Sequence, residues 1–382
     1  MRHVLPVRTL AVVAALALCA TPVAADDSVF GIRGLGLLGR PVSARSAGAG
    51  GAFSLFDPAG SLNPASLGRW RTMVGWAVGV PTRRSYSGTA GDATLVSTRF
   101  PLFGFATIPD RKLVVGMTVS DYLNRTWGVR DSLTVTLGGT DQPVIDLKTS
   151  VGGVTDLRFG AAYHVSTGVD VGVAFHALTG STRSTVVRDF SDSSYTDFVD
   201  VAVTQYTGRG LSFGVNAELI PRLLVSGSVR INSALTARTT DGERARVSLP
   251  TELSFGVLGS PLRGVSVAVS AGYAGWSSAA DDLAATGEER SRDVWNVSVG
   301  TEFDTFRRGA ARVPVRLGYR WRQLPFPVEG ATITESALSG GFAIDLAGGR
   351  TTLDLGVERG SRVVGAQREQ FTSGFIGVIL RP

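Results

Sequence analysis

The sequence is short of cysteine, lysine, histidine and long apolar runs. Cys19 is its only cysteine in 382 residues, which excludes a disulfide framework. Three histidines and one cysteine supply no metal-ligand spacing, and no cofactor is expected. Only Lys112 and Lys148 are lysines; the other bases are arginines, spread along the chain among 32 acids. With no basic run or aromatic-basic block, nucleic acid is not an expected partner. Beyond the first 25 residues no segment holds the 18 or more apolar residues of a spanning helix, so a helical membrane bundle is excluded. Yet the mean hydropathy is +0.17 and charged residues make up only 18%, against ~25% in soluble domains. A chain that is apolar on average without apolar runs is built of alternating strands.

The first 25 residues form a processing segment. Arg2, His3 and Arg8 precede an apolar stretch, Leu10 to Ala20, and Val23-Ala24-Ala25 fits a small-x-small cleavage site. Leu18 stands where a lipoprotein signal wants a small residue before its cysteine, so lipidation is not expected. Cleavage after Ala25 removes Cys19 and takes the formal charge from +6 to +4. Residues 26–69 are rich in Gly, Ala and Ser and show no strand alternation; they form either a tail or a plug.

From residue 70 to 382 the pattern has period two. Val313, Val315, Leu317, Tyr319 and Trp321 share one face, while Arg316, Gly318, Arg320 and Arg322 share the other. Such arginines face water in a sandwich but the lumen in a membrane barrel. Fourteen segments carry the pattern, near 70–80, 94–108, 111–126, 152–166, 168–182, 199–219, 222–238, 244–258, 264–278, 291–304, 311–323, 333–346, 350–364 and 367–380. Most exceed the ~9–11 residues that a tilted strand needs to cross a bilayer. Tight connections at 108–111, 166–168, 219–222 and 346–350 alternate with long polar ones at 80–94, 126–152, 182–199 and 278–291. The expected fold is therefore all-β, a closed transmembrane antiparallel barrel with short periplasmic turns and long outer loops.

Several local matches point to no chemistry. Gly34-Leu35-Gly36-Leu37-Leu38-Gly39 matches G-x-G-x-x-G but has no strand before it and no helix after. Gly210-Leu211-Ser212-Phe213-Gly214 matches G-x-S-x-G but lies inside an alternating strand, where a nucleophile elbow cannot form. An enzyme is not expected. His164 and His176 lie on polar faces of neighbouring strands and would line the lumen near each other. Arg316, Arg320 and Arg322 either grip a ligand carboxylate or pair with Asp345, Asp354 or Glu358; the structural pairing is favoured. The six tryptophans fall mostly near strand ends, as an aromatic girdle would.

Gly48-Ala49-Gly50-Gly51-Ala52-Phe53, followed by Asn63-Pro64-Ala65-Ser66-Leu67, resembles the N-terminal hatch of the long-chain fatty acid outer-membrane transporter family (FadL-like). Leu249-Pro250, Tyr273 to Ser277, and Val313 to Tyr319 with Pro325 and Pro327 are similar to later strands of that family. The resemblance implies a monomeric 14-strand barrel in a bacterial outer membrane, with a hatch over 26–69 carrying Gly48, Gly50, Gly51, Phe53, Asn63, Pro64 and Ala65. It implies passive uptake of a hydrophobic small molecule, of fatty acid or aromatic hydrocarbon type, through a lumen pocket and out into the lipid by a kink in strand three. Asp121 and Asn124 are the candidates for that kink, and Arg316, Arg320, Arg322, His164 and His176 for polar anchors in the lumen. The chain departs from the family at its end, Leu380-Arg381-Pro382, where an aromatic is usual; Phe371 and Phe375 lie nearby. The Asn-Pro-Ala element is shared with the outer-membrane component of type IX secretion, so a scaffold docking a secretion partner is the alternative.

Overall fold

The computed structural model describes residues 28–60, 62–88, 91–192, 194–304, 307–308 and 311–382; the processing segment 1–25 lies outside them. The alternating segments form fourteen antiparallel strands. In order they are β1 (Val74–Gly88), β2 (Gly91–Asp110), β3 (Leu113–Asn124, then Trp127–Leu137), β4 (Thr140–Ser166), β5 (Val169–Phe190), β6 (Phe198–Ile220) and β7 (Leu223–Asn232, then Leu235–Thr239). There follow β8 (Arg244–Val247, then Glu252–Leu262), β9 (Val265–Ala274), β10 (Val294–Phe303), β11 (Val315–Gln323), β12 (Thr334–Leu346), β13 (Thr351–Val364) and β14 (Gln367–Leu380). Neighbours in sequence pair, and β1 pairs with β14 from Gly75↔Leu380 to Ser87↔Arg368, which closes the barrel. Closure satisfies backbone groups that an open edge would leave bare in hydrocarbon. No helix among the described residues is long and apolar enough to cross a membrane.

The two faces of each strand separate as their residues dictate. Phe159, Phe175, Phe213, Phe255, Leu317 and Leu338 stand exposed on the outside, one apolar belt around the wall. Each would gain ~1.5–3 kcal/mol by leaving water for an apolar phase. Ser212, Arg230, Ser270, Ser298, Arg320 and Glu358 point inward.

Three expectations need correcting. The segments 80–94, 126–152 and 182–199 are largely not loops: β1–β2, β3–β4 and β5–β6 continue as long hairpins, tightly so at Gly88↔Gly91 and Leu137↔Thr140. In β3–β4 the alternation persists with the ladder, Leu133, Val135 and Leu137 against Ser132, Thr134 and Thr136, whereas in β5–β6 the charged and polar residues near Arg188, Asp189 and Asp192 interrupt it. The tryptophans do not form a girdle: Trp70, Trp76 and Trp276 are buried, and Trp295 is the one that stands well out. Phe371 and Phe375 also face inward, leaving Leu380 as the exposed apolar residue at the end of the last strand.

Residues 28–70 pack against the inner wall. They contain a 3-10 turn (Val29–Ile32), a two-residue strand (Leu37–Leu38), α1 (Ala44–Gly48) and a second 3-10 turn (Pro64–Arg69). On at least ten strands an inward glycine lies under this segment. A Cβ on Gly318 would fall 2.1 Å from the Ala49 carbonyl carbon, and one on Gly214 1.9 Å from Asn63 Oδ1. At Gly300 and Gly318 backbone approaches backbone, and at Gly160, Gly214 and Gly256 a side chain of the segment takes the space of the missing Cβ.

Candidate functional site

The N-terminal segment is fastened by its own side chains. Ser43 caps α1, accepting from Ser46 N at 3.0 Å and donating to Asp57 at 2.6 Å. Gly48 rests on Gly341 and Gly356; Gly50 N donates to Ser339 Oγ at 2.6 Å; Gly51 N donates to Ser46 O at 2.7 Å. Phe53 lies under the Arg45 guanidinium, which forks onto Glu302 of β10 at 2.7 and 2.9 Å. Asn63 caps the Pro64–Arg69 turn by accepting from Ala65 N at 2.8 Å, and its amide donates to Ser226 Oγ of β7 at 2.7 Å. All seven residues named for the hatch therefore lie in this contact zone.

The other end of the segment meets β3. Leu37 and Leu38 add as a short strand to the end of its first piece, Leu37↔Asn124 and Leu38↔Leu123, and Gly39 N donates to Tyr122 O at 2.8 Å. The G-x-G-x-x-G match has its physical basis here. A Cβ on Gly36 would stand 2.3 Å from Asn124 O, and one on Gly39 2.0 Å from Asp121 O. β3 is irregular at the same place: its register with β4 shifts between Asp121 and Leu123, and the strand breaks after Asn124. Asp121 and Asn124 thus bracket a bulge. β2 pairs with β3 only from Leu102 to Asp110, and the second piece of β3 pairs with β4 alone. Among the described residues Gly91–Pro101 has no ladder partner on β3; an ion pair, Arg99–Asp121 at 3.3 Å, spans the seam instead.

Two cavities lie inside the wall at this level, of about 190 Å³ and about 130 Å³. Leu38, Gly39, Arg40 and Val42 line both, so the segment after the Leu37–Leu38 strand is a partition. The smaller cavity also reaches Arg99, Pro101, Asp121 and Asn124, the residues of the β2–β3 seam. The larger one is roofed by Trp276, which meets Phe326 edge-on at 5.2 Å and packs with Leu283 of α2 (Ala280–Ala284). Its wall is a tier of hydroxyls, Ser120, Ser212, Ser228, Ser254, Ser270 and Ser298, each from a different strand.

Within that wall His176 Nδ1 lies 2.8 Å from Asp156 Oδ2 and its Nε2 lies 2.9 Å from Ser212 Oγ. The order Asp-His-Ser is that of a hydrolytic triad, and Ser212 is the serine of the G-x-S-x-G match. The backbone, however, is regular strand paired on both edges, Ala174↔Ser212↔Arg230, so the elbow and its free oxyanion donors are missing. Asp156 is also claimed by Arg230 Nη1 at 2.8 Å. The chain is a satisfied buried network. Ser212→Ala should cost about 1 kcal/mol of stability and leave an ester-hydrolysis assay at the background of the unmutated protein; hydrolysis that disappears with the serine would overturn this.

The arginine expectations resolve toward pairing. Arg316 joins Glu302 at 2.6 Å and Asp354 at 2.5 Å; Arg320 joins Glu335 and, at 2.7 Å, Glu358; Arg322 joins Glu335 at 2.7 Å. Asp345 is not among the partners, being bonded by Thr352. The histidines are not neighbours. His164 pairs with Asp170 and contacts Arg71 at the short-turn end, whereas His176 sits opposite Arg158, roughly 20 Å away at ~3.4 Å per residue of ladder.

Residues the sequence did not single out complete the site. Arg40 reaches Glu358 at 2.9 Å, and Arg362 joins Glu335 and Glu369. Arg230 lies over the Tyr122 ring at 4.8 Å, and its Nη2 is buried with no hydrogen-bond partner. The one available signal was charge placed on inward positions; which strands would bring these charges together was not in the pattern.

No family model and no curated protein matches the chain at the level of sequence. Solved structures do match at the level of fold. A Pseudomonas aeruginosa FadL homologue is 11% identical with a TM-score of 0.60, over 92% of this chain and 99% of that one. The CymD monoaromatic hydrocarbon channel is 16% identical at 0.57, over 89% and 97%. The P. putida toluene transporter TodX is 13% identical at 0.57, over 90% and 99%. The chain has the barrel fold that these channels share.

Proposed function

We propose that this barrel is a bacterial outer-membrane channel for passive uptake of hydrophobic small molecules, with residues 28–70 acting as its hatch. The observation that carries the reading is the partition. Leu38 to Val42 divide two lumen cavities, and the second of them abuts the stretch of wall where β2 and β3 are not laddered together. A ligand taken into the larger cavity would pass when this segment leaves β3, and would then meet the β2–β3 seam as its way into the lipid. Few hydrogen bonds hold the Leu37–Leu38 strand to β3, so its release costs far less than opening the barrel. The same open volume counts against a scaffold whose lumen is filled. The fold neighbours, hydrocarbon channels and a FadL homologue, agree with the substrate class.

The lining favours a ligand with a polar head over a plain hydrocarbon. A hydrocarbon against the wall hydroxyls other than Ser212, which His176 already holds, and against the open Nη2 of Arg230 would leave buried donors unmade, at ~1–3 kcal/mol each. An amphiphile would place its tail against Leu38, Val42 and Trp276 and its head against the wall.

The test exploits the cysteine-free mature sequence. Leu38 and Leu123 are register partners, a spacing that a disulfide can bridge. In Leu38→Cys/Leu123→Cys, uptake of a fluorescent fatty acid by barrel-containing liposomes should fall at least tenfold when oxidised and recover on reduction. Unchanged uptake with the crosslink formed would end the partition mechanism.

A further inference from the structure

The short-turn rim carries a pattern that the transport path does not use. Each of several turns ends its strand on a large exposed aliphatic and follows it within a few residues with an exposed arginine. Leu219 and Ile220 precede Arg222, Leu262 precedes Arg263, and Leu346 precedes Arg350. Arg111 and Lys112 occupy the β2–β3 turn, and exposed Met73 follows Arg71. Among the described residues none of these six cations has a carboxylate within ion-pair distance. Asp110, Glu218 and Asp345 stand among them as exposed acids, and each is engaged elsewhere: Asp110 by the backbone N–H of Arg111 at 2.6 Å, Glu218 by that of Arg222 at 3.3 Å, and Asp345 by the Thr352 hydroxyl at 2.7 Å. The hairpin end of the barrel differs in mixing its charges: exposed acids such as Asp189, Asp192, Asp200, Asp241 and Asp281 stand there among exposed arginines such as Arg238, Arg244 and Arg290.

We infer that the short-turn rim is a phosphate-binding collar for anionic phospholipid in the leaflet that faces it. The exposed aliphatics continue the apolar belt, so they mark where hydrocarbon ends. An arginine one to four residues further along the chain is then at the depth of the lipid phosphates, and its fork matches a phosphate diester in a bidentate way. Arg71 spends its Nη1 on Gly68 O at 2.9 Å and His164 at 3.1 Å, whereas the exposed guanidinium heads of Arg222, Arg263 and Arg350 are offered to water or lipid. Each stem lies along the apolar surface while its head reaches the phosphates. Near an anionic surface each such cation contributes about 1 kcal/mol, roughly a fivefold preference. The collar would also set the height of the barrel in the membrane, and it does not depend on what the lumen carries.

The experiment compares the full mature chain with Arg222→Gln/Arg263→Gln/Arg350→Gln. None of the three side chains lines the two lumen cavities, so gel mobility of the unheated barrel reports retained folding. Both proteins are placed in nanodiscs of phosphatidylcholine alone or with 30% phosphatidylglycerol, and retained lipid is counted by native mass spectrometry after detergent release. The unmutated protein should retain phosphatidylglycerol at least tenfold above its share, fall to near that share in the variant, and lose the preference in ~0.5 M salt, where the Debye length is a few ångströms. Glycerol phosphate at millimolar concentration serves as the soluble-phosphate arm and should not compete. No enrichment in the unmutated protein, equal enrichment in a folded variant, or displacement by free glycerol phosphate would each overturn the proposal. A second variant, Arg263→Lys, keeps the charge and should retain most of the preference, which separates a charged collar from a fold effect.

Discussion

Glu335→Ala should destabilise the barrel by ~3–5 kcal/mol, the cost of stripping a buried ion pair of one partner. Glu335 has no exposed surface and accepts from Arg320, from Arg322 at 2.7 Å and from Arg362 at 2.6 Å. Its loss is uneven in effect. Arg320 keeps Glu358 and Arg362 keeps Glu369, but Arg322 is left with no carboxylate in its ion-pair set. The variant Glu335→Ala/Arg322→Ala should therefore recover a substantial part of the loss, because the stranded charge is gone. Equilibrium urea unfolding in lipid vesicles, followed by tryptophan fluorescence and gel mobility, gives both numbers. A single-variant change below ~1 kcal/mol would mean that water reaches the cluster and screens it, contrary to the burial of Glu335, Arg320 and Arg362.

The second large effect is steric. Gly318→Val should unseat the N-terminal segment without opening the barrel ladder. Its Cβ would fall 2.1 Å from the Ala49 carbonyl carbon and 2.4 Å from Gly50 N, both backbone, so no side-chain rotation relieves it. Overpacking of this kind costs ~1–3 kcal/mol when neighbours can move and more when they cannot. The yielding element should be residues 44–51, held by short-range contacts, rather than β11, which is laddered to β10 and β12. Trypsin should then cut after Arg40 or Arg45 in the folded variant, and single-channel recordings should show a persistent leak absent from the parent. Gly340→Val is the control, since a Cβ there meets Leu317 on the outer face at an ordinary 3.5 Å. A protease-resistant, non-leaking Gly318→Val barrel would show that the N-terminal segment does not need that close approach.

Both predictions rest on partners that lie far apart in the chain, and legibility divides along that line. Period-two alternation was enough to count fourteen strands and to assign Arg316, Gly318, Arg320 and Arg322 to the inner face, because side-chain direction along a strand is a local property. The segments assigned from it stopped short at the hairpin extensions: in β3–β4 Leu133, Val135 and Leu137 still alternate with Ser132, Thr134 and Thr136, so that extension was legible, while in β5–β6 the polar run around Arg188, Asp189 and Asp192 breaks the alternation although the strands continue. It also misplaced Trp70, Trp76 and Trp276, whose sequence positions near strand ends say nothing about which way the rings turn.

By itself, then, the sequence determined the fold class, the strand number, the inner and outer faces and the oddness of residues 26–69, since each follows from local composition and periodicity. Tertiary structure alone decided the rest. Arg40 meets Glu358 across 318 positions, Asp156, His176 and Ser212 line up from three strands, and Leu37–Leu38 find the break in β3. Strand register and barrel closure set those meetings, and both are properties of the whole sheet that no single segment encodes.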